Sequence, residues 1–153
     1  MDSTDFFKNH PQTYDAILLL DLLEHIPVES QINFMHHVFA VLKPGGRAIL
    51  TVPNASAILA SRHRYIDYTH YCSFTEYSLS FVLQNAGFQK VSIPGQGPLQ
   101  RPSLRIWHQE VRNAWFSFLV KAFWRRLIEM QYAPPSIDDI CLELNLTAVA
   151  YKN

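Results

Sequence analysis

The feature that most limits the fold of this chain is the apolar run Tyr14–Asp21, which reads YDAILLLD. Its apolar residues are consecutive and do not alternate with polar ones, which is typical of a strand covered on both faces in a parallel sheet. A second run, Arg47–Pro53 (RAILTVP), has the same character. Two such strands separated by a helix predict an α/β fold.

Helix signals follow each of these strands. Between Glu29 and Leu42 the apolar residues recur at helical spacing, and KPGG (Lys43–Gly46) predicts a glycine cap that ends the helix. Thr75 is the predicted N-cap of a second helix, which runs through Ala86. The alternation of strand and helix predicts a doubly wound arrangement.

The last third of the chain carries two more predicted strands around an insertion. Lys90–Ile93 is a short third strand, and the alternating apolar and polar residues of Leu142–Tyr151 predict a final antiparallel strand. Residues 104–131 form a predicted helical insertion that is rich in aromatic and basic residues. We favour a lid or core packing for it over contact with a membrane or a lipid-linked substrate. The length of the chain predicts one domain over residues 1–153.

Composition excludes several classes of partner. The formal net charge is zero and the pI is about 7.1, so no global electrostatic reason exists for binding nucleic acid or an anionic membrane. Cys72 and Cys141 are too few for a disulfide framework. The polar start of the sequence lacks the pattern of a signal peptide, and no apolar run reaches the ~20 residues that a membrane span needs. We therefore expect a cytoplasmic protein.

The order of the motifs resembles one large enzyme family. YDAILLLDLLEHIP, a helix ending in LKPGG, RAILTVPN and then DYTH…FTEYSL…AGF follow one another as they do in the class I S-adenosylmethionine-dependent methyltransferases. The resemblance covers roughly residues 14–93 and the final strand. It implies a Rossmann-like sheet in which this chain supplies the family's strands 4, 5, 7 and 6, with the last strand antiparallel. It also implies methyl transfer from S-adenosylmethionine to a small-molecule or glycan acceptor.

One family feature has no counterpart in the sequence. The family carries a glycine-rich loop after its first strand, where backbone amides approach the cofactor closely. No G-x-G loop lies between a buried strand and a helix, although the chain contains the glycines Gly45, Gly46, Gly87, Gly95 and Gly97. The resemblance thus implies the C-terminal half of a methyltransferase domain, truncated or split, with a second copy or a complementing N-terminal half as partner. The alternative is a non-enzymatic remnant that acts as a binding or assembly module.

The resemblance also assigns roles around the cofactor. Asp21 and Leu22 would line the S-adenosylmethionine pocket, because ligands bind at the carboxyl ends of strands in open α/β sheets. The alternative for Asp21 is that it caps the following turn. His25 is a candidate general base, and its alternative is that Glu24 and His25 fix the loop by hydrogen bonds to backbone.

Acceptor-side residues are expected on the loops after the second strand. His70 is the preferred base candidate, with Asn54 and Tyr71 as substrate-binding residues. Cys72 stands where the family commonly has an arginine, so an arginine-mediated anion contact is not expected at that position. Histidine spacing predicts no metal site, because His36 and His37 point to different faces of a helix and no H-x-x-x-H pair occurs.

Overall fold

Four strands form a single sheet in this computed structural model, which describes residues 12–94, 109–132 and 141–153. The strands are β1 (Tyr14–Leu20), β2 (Leu42–Pro53), β3 (Lys90–Ser92) and β4 (Asn145–Tyr151), in the spatial order β1-β2-β4-β3. β1 runs parallel to β2, whereas β4 lies between β2 and β3 and is antiparallel to both. The α/β class, the family order 4-5-7-6 and the antiparallel last strand are therefore confirmed.

The helices lie between and around these strands. They are α1 (Val28–Val41), α2 (Ala60–Tyr65), α3 (Glu76–Asn85) and α4 (Gln109–Tyr132), and a 3-10 turn covers Leu23–His25. The predicted N-cap of α3 is confirmed, since the Thr75 hydroxyl accepts a hydrogen bond from the Ser78 amide at 3.2 Å. α4 covers the predicted insertion from Gln109 onward and extends one residue past it to Tyr132, and residues 104–108 fall outside the described part. None of the described helices has the length and apolar character needed to span a membrane.

One face of the sheet carries the hydrophobic core. Side chains from β1, β2 and β4 alternate towards this face and pack against α1 and α3. The buried contributors from strands and helices include Leu19, Leu50, Leu146, Ala148, Met35, Val38, Leu79 and Leu83. Complete burial of each large aliphatic side chain contributes roughly 1.5–3 kcal/mol, so this layer dominates the stability of the described domain.

The opposite sheet face is half-buried along β2 and β4 and exposed along β1 in the described part of the chain. We call it the open face and define it by Leu18 and Leu20 of β1, Ile49 of β2 and Val149 of β4, which are aligned by the strand register. Leu18 and Leu20 are 63% and 61% exposed. The expectation that β1 is covered on both faces is therefore wrong for the described residues, where β1 is also an edge strand paired only with β2.

The KPGG segment does not cap a helix, contrary to the sequence prediction. α1 ends at Val41, and Leu42 already has the extended conformation that begins β2. Gly45 has a φ of +77°, and its amide donates to the carbonyl of Lys152 at 2.7 Å. A Cβ on Gly46 would lie 2.8 Å from the Lys43 carbonyl oxygen. Gly45 is thus favoured by its left-handed φ and Gly46 by the close approach of the Lys43 carbonyl, and the local sequence reveals neither constraint.

Candidate functional site

The carboxyl end of β1 is held against its neighbouring strands by Asp21. The Asp21 amide donates to the Thr51 carbonyl at 3.1 Å, and the Thr51 hydroxyl donates to Asp21 Oδ1 at 3.1 Å. The Asn145 side chain adds a contact to the same oxygen at 3.4 Å. Asp21 also adopts a left-handed φ of +48°, which aspartate tolerates better than most residues. These bonds connect the end of β1 to residues of β2 and β4. No side-chain hydrogen bond caps the start of the 3-10 turn that follows.

Next to Asp21, one acidic and two histidine side chains converge. We call Glu24, His25 and His70 the carboxylate–histidine cluster. The His25 and His70 rings meet edge to face, with centroids 4.7 Å apart. One potential ligand atom from each of the three side chains lies within 4.8 Å of the others. The structure therefore brings together the two histidines predicted as base candidates, although they follow different strands.

A buried glutamine holds the two loops of this cluster together. Gln31 on α1 is 2% exposed, and its Nε2 lies 3.2 Å from the Leu23 carbonyl and 3.1 Å from that of Ile26. The same nitrogen lies 3.1 Å from Cys72 Sγ. One amide thus connects α1 with both the turn that carries His25 and the loop that carries His70.

Glu24 has an unusual electrostatic environment. It is 0% exposed, and neither carboxylate oxygen has a partner with hydrogen-bond geometry among the described residues. Burial raises the pKa of Glu24, and the negative charge of Asp21 raises it further. Its own backbone amide, His25 and His70 act in the opposite direction on that pKa. A buried carboxylate in this position favours a proton or a cation beside it.

The hydrogen bonds around His25 determine which of its ring nitrogens carries the proton. The Thr69 hydroxyl donates to Asp67 Oδ1 at 2.7 Å, so its oxygen accepts from His25 Nδ1, which lies 2.8 Å away. Hydrogen bonds from the amide and hydroxyl of Thr69 lower the pKa of Asp67, which keeps this acceptor ionised. The network therefore assigns the proton of neutral His25 to Nδ1 and leaves Nε2 with a free lone pair.

The other predicted site residues lie at the same edge with different surroundings. The Asn54 amide is buried and bonds the carbonyls of Cys141 at 2.7 Å and Glu143 at 2.8 Å, which ties β2 to the segment before β4. Tyr71 and Leu22 are exposed. The substrate role of Asn54 stays a prediction, and the structure provides a structural role for its amide.

Sequence reasoning missed three members of this network. Gln31, Asp67 and Thr69 were assigned no role, although D-x-T is a local signal for an Asx turn and the Thr69 amide does donate to Asp67 at 2.8 Å. Gln31 carried no comparable signal. From sequence alone, a glutamine in an amphipathic helix is expected on the exposed face, and only the tertiary contacts show that Gln31 is buried.

Comparison with known proteins bears directly on this edge of the sheet. A family model described as a methyltransferase domain matches residues 2–93, which is more than half of the chain. The chain belongs to this methyltransferase family. The match includes β1, the carboxylate–histidine cluster and α3, so the resemblance inferred from the motifs is confirmed. A search of curated proteins gives no significant match to this methyltransferase chain.

Solved structures agree with the family assignment at the level of the fold. A SAM-dependent methyltransferase from Archaeoglobus fulgidus has a TM-score of 0.65 and 18% identity, over 99% of this chain and 66% of that chain. A SAM-dependent methyltransferase from Thermotoga maritima has a TM-score of 0.56 and 12% identity, over 94% of this chain and 57% of that chain. This methyltransferase chain thus spans two thirds or less of the length of these two proteins.

The residues of this methyltransferase fit S-adenosylmethionine in part. Asp21 and Leu22 place a carboxylate and an apolar side chain at the sheet edge where such a cofactor lies in open α/β folds. The glycines that the structure describes serve other purposes, since Gly45 and Gly46 pair with the C-terminal segment and Gly87 follows α3. Among the described residues, Asp21 and Leu22 are therefore the ones that would hold such a cofactor.

Proposed function

We propose that this chain contributes the acceptor-side part of a domain that transfers a methyl group from S-adenosylmethionine to a small-molecule or glycan acceptor. The observation that carries the proposal is the convergence of His25 and His70 beside Asp21, within the segment matched by the methyltransferase family model. The cofactor supplies an electrophilic methyl group. The protein aligns the acceptor and removes its proton.

In this proposal Asp21 and Leu22 contact the cofactor. Asp21 is suited to that role because Thr51 and Asn145 fix its carboxylate, so a ligand meets a preorganised acceptor of hydrogen bonds. Leu22 is exposed next to it and offers apolar surface.

His25 and His70 are the proposed proton acceptors. The Asp67–Thr69 pair leaves His25 Nε2 as a hydrogen-bond acceptor, which is the state that a general base requires. His70 lies on the adjoining loop with its ring in contact with His25. Tyr71 and Asn54 are the proposed acceptor-binding residues, and Tyr71 is favoured by its 55% exposure.

We further propose that the chain works with a complementing N-terminal half, as a truncated or split cytoplasmic methyltransferase. Two features support this. β1 has an unpaired outer edge among the described strands, and the open face next to it exposes Leu18 and Leu20. Such an edge is a template for another strand, and the apolar face is suited to packing against helices.

Calorimetric titration with S-adenosylmethionine tests this proposal. We expect weak or undetectable binding by the 153-residue chain alone, since the family's glycine-rich loop has no counterpart in it. Losing even two charge-assisted hydrogen bonds to the cofactor, at ~1.5–3 kcal/mol each, weakens affinity by orders of magnitude. Joining the chain to the segment encoded directly upstream should restore binding and methyl transfer. His70→Ala should then lower the transfer rate about 10²-fold or more, whereas the exposed His36→Ala should leave it unchanged. Low-micromolar binding by the chain alone would contradict the need for a second half.

A non-enzymatic binding or assembly module is the second candidate. Two observations favour it: the described glycines have structural roles and none forms a cofactor loop, and the outer edge of β1 is not paired with any described strand. The coding DNA upstream of Met1 discriminates between the two. An in-frame strand followed by a G-x-G loop favours the methyltransferase, and its absence favours the module.

A further inference from the structure

We propose that Glu24, His25 and His70 form a binding site for one divalent transition-metal ion of the zinc type. This inference does not depend on methyl transfer. It competes with the proposed base role, because a histidine nitrogen that binds an ion cannot accept a proton. Two imidazoles and one carboxylate are a donor set that suits Zn²⁺ and neighbouring first-row metals. The sequence prediction of no metal site considered only local histidine spacing. His25 and His70 lie far apart along the chain, and only the fold brings them together.

The geometry allows one ion to reach all three side chains. One ligand atom from each residue lies within 4.8 Å of the other two. Bonds of about 2.1 Å to a tetrahedral ion place ligand atoms about 3.4 Å apart, so modest side-chain rotations close the site. His25 and His70 are partly exposed and give an ion a route from solvent, while Glu24 forms the buried floor.

The strongest independent observation is the unsatisfied Glu24 carboxylate. This side chain is completely buried, and both of its oxygens lack a hydrogen-bond partner among the described residues. His70 Nδ1 is also shielded from solvent without such a partner. Buried polar groups in native proteins are normally paired, and buried charges are paired or coordinate metals. An ion between Glu24 and His70 satisfies both groups at once.

The surroundings of His25 resemble the outer shell of a metal ligand. Histidines that bind metals usually donate their second ring N–H to an oxygen, which fixes the tautomer and the ring orientation. His25 Nδ1 donates to the Thr69 hydroxyl, which in turn donates to Asp67. The lone pair of His25 Nε2 is therefore free for coordination.

The loop backbone prevents the ligands from separating. The Tyr71 amide donates to the Glu24 carbonyl at 2.8 Å, directly beside His70 in the sequence. Gln31 ties the same two segments together from the other side. The site is thus held by groups that are themselves fixed, as a specific metal site requires.

Calorimetric titration of the purified, chelator-treated and tag-free chain with ZnCl₂ tests the proposal. We expect one ion per chain. His70→Ala, His25→Ala and Glu24→Gln should each weaken binding at least 100-fold. Thr69→Val, which removes only the hydroxyl that orients His25, should weaken it 10–100-fold. The control variant His36→Ala, on the exposed side of α1, should change the affinity less than twofold.

Cobalt absorption provides a readout that does not depend on how well the variants fold. Co²⁺ added to the unmodified chain should give visible d–d bands that saturate at one equivalent and disappear on addition of ZnCl₂. Circular dichroism checks the fold of each variant. The proposal is overturned if no saturable one-to-one binding of either ion occurs, or if folded His70→Ala binds zinc as tightly as the unmodified chain.

Discussion

The amide N–H of Tyr71 donates to the carbonyl oxygen of Glu24 across 2.8 Å. This single backbone bond joins the turn after β1 to the loop before α3. It sets His70 against His25, because His70 directly precedes Tyr71 and His25 directly follows Glu24. The candidate site therefore depends on contacts between two loops.

Gln31 is expected to stabilise the folded protein through its side-chain hydrogen bonds at the site. Gln31→Met keeps the side-chain length but removes the donor to the Leu23 and Ile26 carbonyls, and we expect a loss of about 1–3 kcal/mol in the free energy of unfolding. Urea denaturation measures this change in the free energy of unfolding. Gln84→Met, at an exposed position of α3, is the matched control and should change stability by less than about 0.5 kcal/mol. Equal effects of the two variants would contradict this role.

Glu24 is expected to make stability depend on pH. Because its pKa is raised in the folded state, the native protein binds this proton more tightly than the unfolded chain does. Stability should therefore fall as pH rises from the ordinary glutamate pKa to the raised one. Above the raised pKa of Glu24, the destabilisation from its buried charge no longer changes with pH.

The variant Glu24→Gln isolates this contribution. It should be more stable than the unmodified protein at neutral pH, and the difference should shrink below the ordinary glutamate pKa. Thermal or urea unfolding in chelator-treated buffer across this pH range measures the effect. A constant difference between the two proteins over the whole range would show that Glu24 does not titrate in this way.

Asp21 is expected to serve both the strand end and the cofactor. Asp21→Ala removes the acceptor for Thr51 and places alanine at a φ of +48°, so we expect a loss of about 1–3 kcal/mol in stability. Asp21→Asn tolerates that conformation and keeps a side-chain oxygen, so it should recover most of the stability. In the chain joined to its complementing half, neither variant should recover full S-adenosylmethionine affinity. If Asp21→Asn restores both properties, the carboxylate charge has no part in cofactor binding.

The open face and the β1 edge are expected to drive self-association. At high micromolar concentration the isolated chain should dimerise or aggregate, because Leu18 and Leu20 are exposed beside an edge of β1 that no other described strand pairs with. Light scattering measures this. Leu18→Arg should shift the chain towards monomer, whereas Leu59→Arg, at an exposed leucine before α2, should not. A stable monomer of the unmodified chain would contradict this expectation.

The sequence by itself determined the local elements of this protein. The apolar runs, the helical spacing before Leu42 and the Thr75 cap predicted β1, β2, α1 and α3, because these signals arise from neighbouring residues. The order of the motifs also indicated the family and its strand order. The KPGG prediction failed because Gly45 serves a pairing with Lys152 at the far end of the chain.

The tertiary structure alone decided the site. Glu24 and His70 follow different strands, and their approach depends on the Tyr71 amide and on Gln31, which no local pattern marks. Packing also decided that Leu18 is exposed and that Glu24 is buried without a hydrogen-bond partner among the described residues. Burial is a property of residues brought together from distant parts of the chain, so periodicity shows which side chains share a face but not what covers that face.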